Sequence, residues 1–472
     1  MSGIRLESEG RGAEFDEESS GRALFVSTRP GAGAAAKAPG PESRRNDRLI
    51  VDQQSSIEIR QAIMSRRSFL GILAREETVG SLPKILIVHQ NWQPPGGANT
   101  VAAWIAEALK TRYALTLLTW NRVDTAEINR FYGTSLRPTD FTVIYPNQLL
   151  RILFRLDPDP RSLQPTAYLM RVCHRIRSQY DLVMGMAVEE MDLGGPGLLY
   201  IHYPELSRFW PKYRDWGGKR PSEKLRNLLR GETRPWMILS DYSLERLKEN
   251  AILANSDWTG SLFERLYGVK TQTLYPPVPV SVGELDWSRR TNGFVASGRF
   301  DPLKRLDWIV STLEQVRKSQ PDLTLHLVGT QVKVGDGPKH YHDLRRLVDA
   351  NSDWVSLHEN RSCHGLSQLI GQVRYGIHAR IDEHFGIAPA EILMTGGIPF
   401  VHDSGGQVEI SGRDPRLCFT TQEDAVGKIE AVMQNGCAQL AILESLAPRR
   451  KMFTPARFVE GIREAVRSRL ER

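Results

Sequence analysis

The stretch YGIHARIDEHFGIAPAEILMTGGIPFVHDSGGQ, Tyr375 to Gln407, alternates apolar runs with a glycine-bounded segment. "YGIHAR" predicts a strand and "IDEHFG" a loop at its carboxyl end. "IAPAEILMTG" predicts a helix, with Gly386 just before it and Gly396 at its end, and "IPFVHDS" predicts the next strand. A strand, a helix and another strand in this order belong to a parallel sheet covered by helices on both faces.

The same rhythm extends outward in both directions. Upstream, "GFVASGRF", "LTLHLVGT" and "WVSLHE" predict strands separated by helices. Beyond the Pro-rich break "LYPPVPV", residues 274–280, an earlier series contains "KILIVH", "LTLLTW", "DLVMGM", "GLLYIHYP" and "AILANS". These alternate with helical stretches such as "TVAAWIAEALK" and "TGSLFERLYG". The expected fold class is therefore α/β, with two doubly wound Rossmann-like domains facing a central cleft. Their expected bounds are residues 81–275 and 276–453. A closing helix over 454–472 has Thr454 as N-cap, Pro455 in its first turn, and Phe458, Ile462, Val466 and Leu470 on one stripe.

A length of 472 residues fits two cores, and 40% hydrophobic with 25% charged residues is a globular composition. No apolar run approaches the roughly 18 residues of a membrane-spanning helix. The formal charge of +7 suits an anionic partner. Cys173, Cys363, Cys418 and Cys437 lie far apart, so free thiols and no structural zinc are expected.

Residues 1–80 differ in character. "RPGAGAAAKAPGPESRRNDR" buries too little apolar surface to offset ordering entropy and predicts disorder. From Ser55, Ile59, Ile63, Leu70 and Leu73 share one face of a possible amphipathic helix, with Arg60, Arg66, Arg67 and Arg75 largely elsewhere. Such a helix would either lie on an anionic membrane or dock on its own domain. "SRRSFLG" has the form of a twin-arginine signal, but few apolar residues follow it, and export is not expected. Met64, just before it, is a second candidate start of translation.

In open parallel sheets, ligands bind beyond the carboxyl ends of the strands. At the end of the first strand, "HQNWQPPGGANTVAAW" puts Gly96 and Gly97 before a helix, where amides and the helix dipole could receive a phosphate. The alternative is a glycine turn used only for chain reversal. The spacing matches neither GxGxxG nor GxxxxGK[ST]. "VASGRFDPLKRLDW" offers Arg299 and Lys304 across a turn as a clamp for a diphosphate.

In the opening stretch, the amides of Ile387 and Ala388, after Phe385 and Gly386, would face an anion. Glu383 stands before the helix and Glu391 about one turn inside. Carboxylates there repel phosphate but accept hydrogen bonds from sugar or ribose hydroxyls. Eight-residue spacing alone says little, and the glycine turn between the two is what points to a site. His202 in "YIHYPE" ends a first-domain strand toward the cleft, while His378 could serve core or cleft.

Taken together, "ANSDWTGSLFERLYG", "LYPPV", "SGRFDPLKRLD", "EHFGIAPAE", "GGIP" and "SGG", with Gly96 and Gly97, resemble the retaining nucleotide-sugar glycosyltransferases of family 4. The likeness runs from about Leu82 to the C-terminus. "YIHYPE", "NSDWT", "YPPV" and "EHFGI" look most like the α-1,2-mannosyltransferase branch of asparagine-linked glycan assembly.

The resemblance implies a GT-B fold, no metal, and a nucleotide-sugar donor, GDP-mannose by the nearer likeness. It implies a glycan or glycolipid acceptor and a cytoplasmic setting, with peripheral membrane contact possible. By it, Arg299 and Lys304 neutralise the donor diphosphate, Glu391 holds the ribose, and Glu383 with the amides after Phe385 holds donor sugar and phosphate. His202 contacts the donor sugar and Gly97 lies near the phosphates. A sugar-nucleotide epimerase, a phosphorylase or a non-catalytic sugar-nucleotide-binding subunit would share this frame. Nucleic acid is not an expected partner, since clustered basic and aromatic residues are lacking.

Overall fold

The structure is a computed structural model and describes residues 82–93, 96–147, 164–186, 191–204, 240–279, 286–332 and 337–471. The N-terminal extension, the amphipathic segment from Ser55 and Met64 lie outside the described residues. In the first lobe the elements are β1 (Lys84–Val88), α1 (Gly97–Leu109), β2 (Ala114–Leu118), α2 (Thr125–Tyr132), β3 (Phe141–Ile144) and α3 (Gln164–Ile176). β4 (Leu182–Gly185), β5 (Leu198–Ile201), α4 (Leu244–Lys248), β6 (Ala251–Ala254), α5 (Asp257–Tyr267) and β7 (Gln272–Thr273) follow. The second lobe begins with β8 (Thr291–Phe300), α6 (Leu306–Arg317), β9 (Thr324–Gln331), α7 (Gly337–Ala350), β10 (Val355–Glu359), α8 (Cys363–Gln372) and β11 (Val373–His378). It continues through α9 (Ile387–Met394), β12 (Ile398–His402), α10 (Gln407–Ile410), β13 (Cys418–Phe419), α11 (Gln422–Met433) and α12 (Gly436–Leu446). The chain closes on α13 (Pro455–Leu470).

All pairings within the two sheets are parallel. The first sheet runs β3-β2-β1-β4-β5-β6-β7 and the second β10-β9-β8-β11-β12-β13. Both are doubly wound, and the strand order reverses between β1 and β4 in one and between β8 and β11 in the other. Those reversals open crevices at the strands' carboxyl ends.

Sequence explains why β1 is central. Ile85 and Ile87 pack into one core layer and Leu86 and Val88 into the layer on the opposite face, so no polar side is left over. The second sheet repeats this with Phe294 and Ala296 on one face of β8 and Val295 on the other. The short strands β3, β7 and β13 fall outside the apolar runs read from sequence.

The last helix returns to the first lobe. Thr454 caps it by accepting from the Arg457 amide at 3.3 Å, and Phe458, Ile462 and Val466 enter the layer holding Ile85 and Val101. Arg463 Nε donates to the Ala108 carbonyl at 2.8 Å. Three fully buried side chains at roughly 1.5–3 kcal/mol each make this helix part of the first core.

Candidate active site at the carboxyl ends of the switch-point strands

Most of the polar residues singled out in the sequence lie at the ends of β1, β5, β8 and β11, three of which border the reversals in strand order. Helix α9 begins at Gly386, whose φ of +101° suits glycine alone, and no side chain caps it. Its third residue, Pro389, has no N–H, so the amides of Ile387 and Ala388 are the open donors of the first turn. Helix α1 likewise starts from Gly96 without a side-chain cap. By contrast, Asp124, Ser243, Ser256, Ser362, Thr421, Asn435 and Thr454 cap their helices with side-chain oxygens.

The two glycine-led helix starts meet. A methyl group added at Gly97 would stand 3.0 Å from Ile387 Cδ1. The first lobe's glycine loop and the second lobe's open amides therefore face one crevice, and both helix dipoles favour negative charge there.

Beside them Lys304 Nζ lies 2.7 Å from Glu383 Oε2, which also accepts from His378 Nε2–H at 3.0 Å. Arg380 Nη1 is 3.6 Å from the same oxygen. Burial alone would raise the Glu383 pKa. Lys304, then His378, then Arg380 outweigh it and hold the carboxyl well below its usual range. Burial first, and Lys304 next, lower the His378 pKa, so the ring is neutral and donates through Nε2. Gly298, at φ +146°, makes room for Lys304: a methyl there would sit 3.2 Å from Lys304 Cε.

Several expectations change at this point. Lys304 and Glu383, read separately as a phosphate cation and a sugar acceptor, form one ion pair. Arg299 does not share it: its side chain is 54% exposed and sits 3.5 Å from Asp301 Oδ2. Phe385 is core, with its ring centroid 5.9 Å from Tyr275 and 5.7 Å from Phe453, leaving only its backbone to a ligand. His378 joins the cluster because it is the last residue of β11.

Among the described residues the Glu391 carboxyl has one hydrogen bond, from Ser297 Oγ at 3.4 Å. Burial pushes its pKa up to about 8, against a small opposing effect of that hydroxyl. A carboxyl of this kind both donates and accepts, which suits vicinal hydroxyls. His202 follows β5, and its Nε2 is buried without a hydrogen-bond partner among the described residues. Burial, then His89 and His384, lower its pKa to about 3.

The loop after β12 supports the cluster from below. Gly406 N donates to the Glu383 carbonyl at 2.8 Å, and Gly405, at φ +72°, lies so close that a methyl would collide with that carbonyl. Gly405→Ala is expected to cost about 1–3 kcal/mol in unfolding free energy, measured by urea titration. It should also slow turnover, because the Glu383 backbone must move.

Residues 283–447 match the family model described as Glycosyl transferases group 1, so the second lobe carries a domain of that class. The chain is similar to proteins named GDP-Man:Man(3)GlcNAc(2)-PP-Dol alpha-1,2-mannosyltransferase. The Neurospora crassa protein is 27% identical, over 48% of this chain and 48% of its own length. The Homo sapiens protein is 26% identical, over 44% and 46%. The chain thus spans about half the length of these curated relatives.

Among solved structures, the sucrose-phosphate synthase of Thermosynechococcus elongatus superposes with a TM-score of 0.57 at 14% identity, covering 82% of this chain and 98% of that one. Anabaena HepE, solved in complex with UDP and glucose, gives 0.55 at 16% identity, over 82% and 100%. The fold is GT-B, with two Rossmann-like lobes.

Proposed function

We propose that this chain is a retaining family 4 hexosyltransferase that moves mannose from GDP-mannose to a hydroxyl of a glycan or glycolipid. The observation that carries this reading is the meeting of two uncapped helix starts at Gly97 and Ile387, beside the buried Lys304–Glu383 pair and the raised-pKa carboxyl of Glu391. Phosphate fits the amides and Lys304, while hydroxyl-bearing rings fit the carboxyls. The group 1 domain and the relatives' names support the class of reaction and the choice of mannose.

In this mechanism the diphosphate settles on the amides of Ile387 and Ala388, with Lys304 and the exposed Arg299 meeting its charge. Glu391 holds the ribose hydroxyls, and Glu383 and His202 face the sugar. The acceptor oxygen forms its bond to the anomeric carbon on the face from which the phosphate leaves. The carbon–oxygen bond to phosphate breaks, and the acceptor's proton passes to the departing phosphate oxygen. The products are a glycoside with retained configuration and GDP. Positioning and charge stabilisation supply the rate, so no side chain is needed as general base and no metal is invoked. The setting proposed is cytoplasmic, with peripheral membrane contact. Among the described residues no helix is long and apolar enough to cross a membrane.

Calorimetry with GDP-mannose, UDP-glucose and ADP-glucose tests the reading. GDP-mannose is expected to bind at least about tenfold more tightly than the others. Glu391→Ala is expected to weaken it about 10–100-fold, the loss of one or two hydrogen bonds to a carboxyl. Equal, weak heats for all three donors would overturn the assignment.

A further inference from the structure

The first lobe reaches the Glu383 loop through a contact that the donor site does not use. Helix α5 begins with Asp257, Trp258 and Thr259, whose amides need acceptors. Ser256 Oγ takes the Thr259 amide at 3.1 Å. The other two are taken from across the lobe boundary: Glu409 Oε2 accepts from Asp257 N at 3.0 Å and Oε1 from Trp258 N at 2.8 Å. Glu409 is on α10 in the second lobe and is only 3% exposed.

The same helix start also holds the backbone next to Glu383. Ser256 Oγ donates to the His384 carbonyl at 2.6 Å. The His384 ring stacks on Tyr203 of the first lobe, centroids 4.1 Å apart and planes 11° apart, with Trp258 parallel to it at 6.1 Å. On the other side, Gly406 N donates to the Glu383 carbonyl. A continuous series of contacts therefore runs from the first turn of α5 through Glu409 and the Gly405–Gly406 turn to Glu383, and a second runs through Ser256 and His384 to the same loop.

We infer that Glu409 is a positioning residue: by capping α5 from the opposite lobe, with His384 stacked on Tyr203, it holds the Glu383 loop in register with the first lobe. The inference rests on the donor-transfer reading above. Burial of Glu409 is unfavourable for its charged form and raises its pKa, and the two amides at the positive end of α5 are among the groups that oppose the shift. Gln keeps the shape of Glu but brings an NH2 group to one of the two amides, so a donor faces a donor. The amides of Ile387 and Ala388, Lys304 and Glu391 all sit in the second lobe. Loss of the cap should therefore leave nucleotide affinity alone and misplace Glu383 against the first lobe.

The test measures two quantities in the full chain: GDP affinity by calorimetry, and release of GDP from GDP-mannose in the absence of acceptor. Glu409→Gln is expected to change the GDP Kd less than about twofold and to lower kcat for release at least about tenfold, with KM little changed. Tyr203→Ala, which removes a partly buried ring and no buried charge, should show the same split and keeps the test open should Glu409→Gln not fold. A kcat within about twofold of the parent chain in the foldable variants overturns the inference. A parallel loss of GDP affinity also overturns it, since that outcome marks general damage to the second lobe. Failure of the parent chain to bind GDP-mannose overturns the donor reading itself.

Discussion

Glu391→Gln is expected to be more stable than the parent chain at alkaline pH, by about 2–5 kcal/mol, although it removes a proposed ligand contact. The sign follows from the direction of the shift. The folded-state pKa of about 8 lies above the ordinary value of 4.5. Between those values the unfolded chain has released a proton that the folded chain keeps, so stability falls as pH rises through this window. Below it, both states are protonated and the difference vanishes. Gln is neutral throughout and removes the penalty. Urea titrations at about pH 4 and about pH 9 should show nearly equal midpoints in the first and a clear gain for the variant in the second. A gain independent of pH would mean that packing and not charge distinguishes the two side chains. A site that gains stability when its polar group is neutralised is held for binding rather than for folding.

Lys304→Met should have the largest combined effect on stability and rate. It leaves Glu383 with only the neutral His378 and the 3.6 Å contact to Arg380. Removing one partner of a buried pair is expected to cost about 2–4 kcal/mol near neutral pH. Glu383 has a depressed pKa, so its stabilising contribution is present above 4.5 and lost as pH falls through the folded value. The variant should show a smaller loss on acidification than the parent chain. Turnover should fall by about a hundredfold or more, because the charge met by Lys304 grows as the diphosphate departs. Lys304→Met combined with Glu383→Gln separates the two effects. The double variant should recover most of the stability, as both charges are gone, and none of the activity. Recovery of turnover would show that Lys304 serves only to neutralise Glu383.

How much of this was legible beforehand varied from residue to residue. The strand at "KILIV" is apolar on both faces because β1 is central, and such runs are visible in sequence. The pairs at Phe141–Ile144 and Cys418–Phe419 were not, since edge strands are short: the first is also half wet, and the second, though buried, is only two residues long. Gly386 and Glu391 could be placed at a helix start from local spacing, as capping and the 3.6-residue period are local properties. Glu409 was silent. Nothing within four residues of it indicates a partner 152 positions earlier in the chain.

Arg299 and Phe385 mark the same limit from the other direction. Both stand near site residues in sequence, yet Arg299 on β8 turns to solvent, as neighbours on an extended strand point to opposite sides, while the bend that leads into α9 turns Phe385 into the core.

The alternation of strands and helices, the glycine starts of α1 and α9, and the residue types at the strand ends are written into the chain locally, by forces acting within a few residues. Which of those ends meet is a property of the folded molecule. It joined Lys304 to Glu383 and His378, apposed Gly97 to Ile387, and carried α13 back to the first core. Ion pairs and buried contacts depend on distance in space, and the order of strands in a sheet is not written in any local stretch of chain.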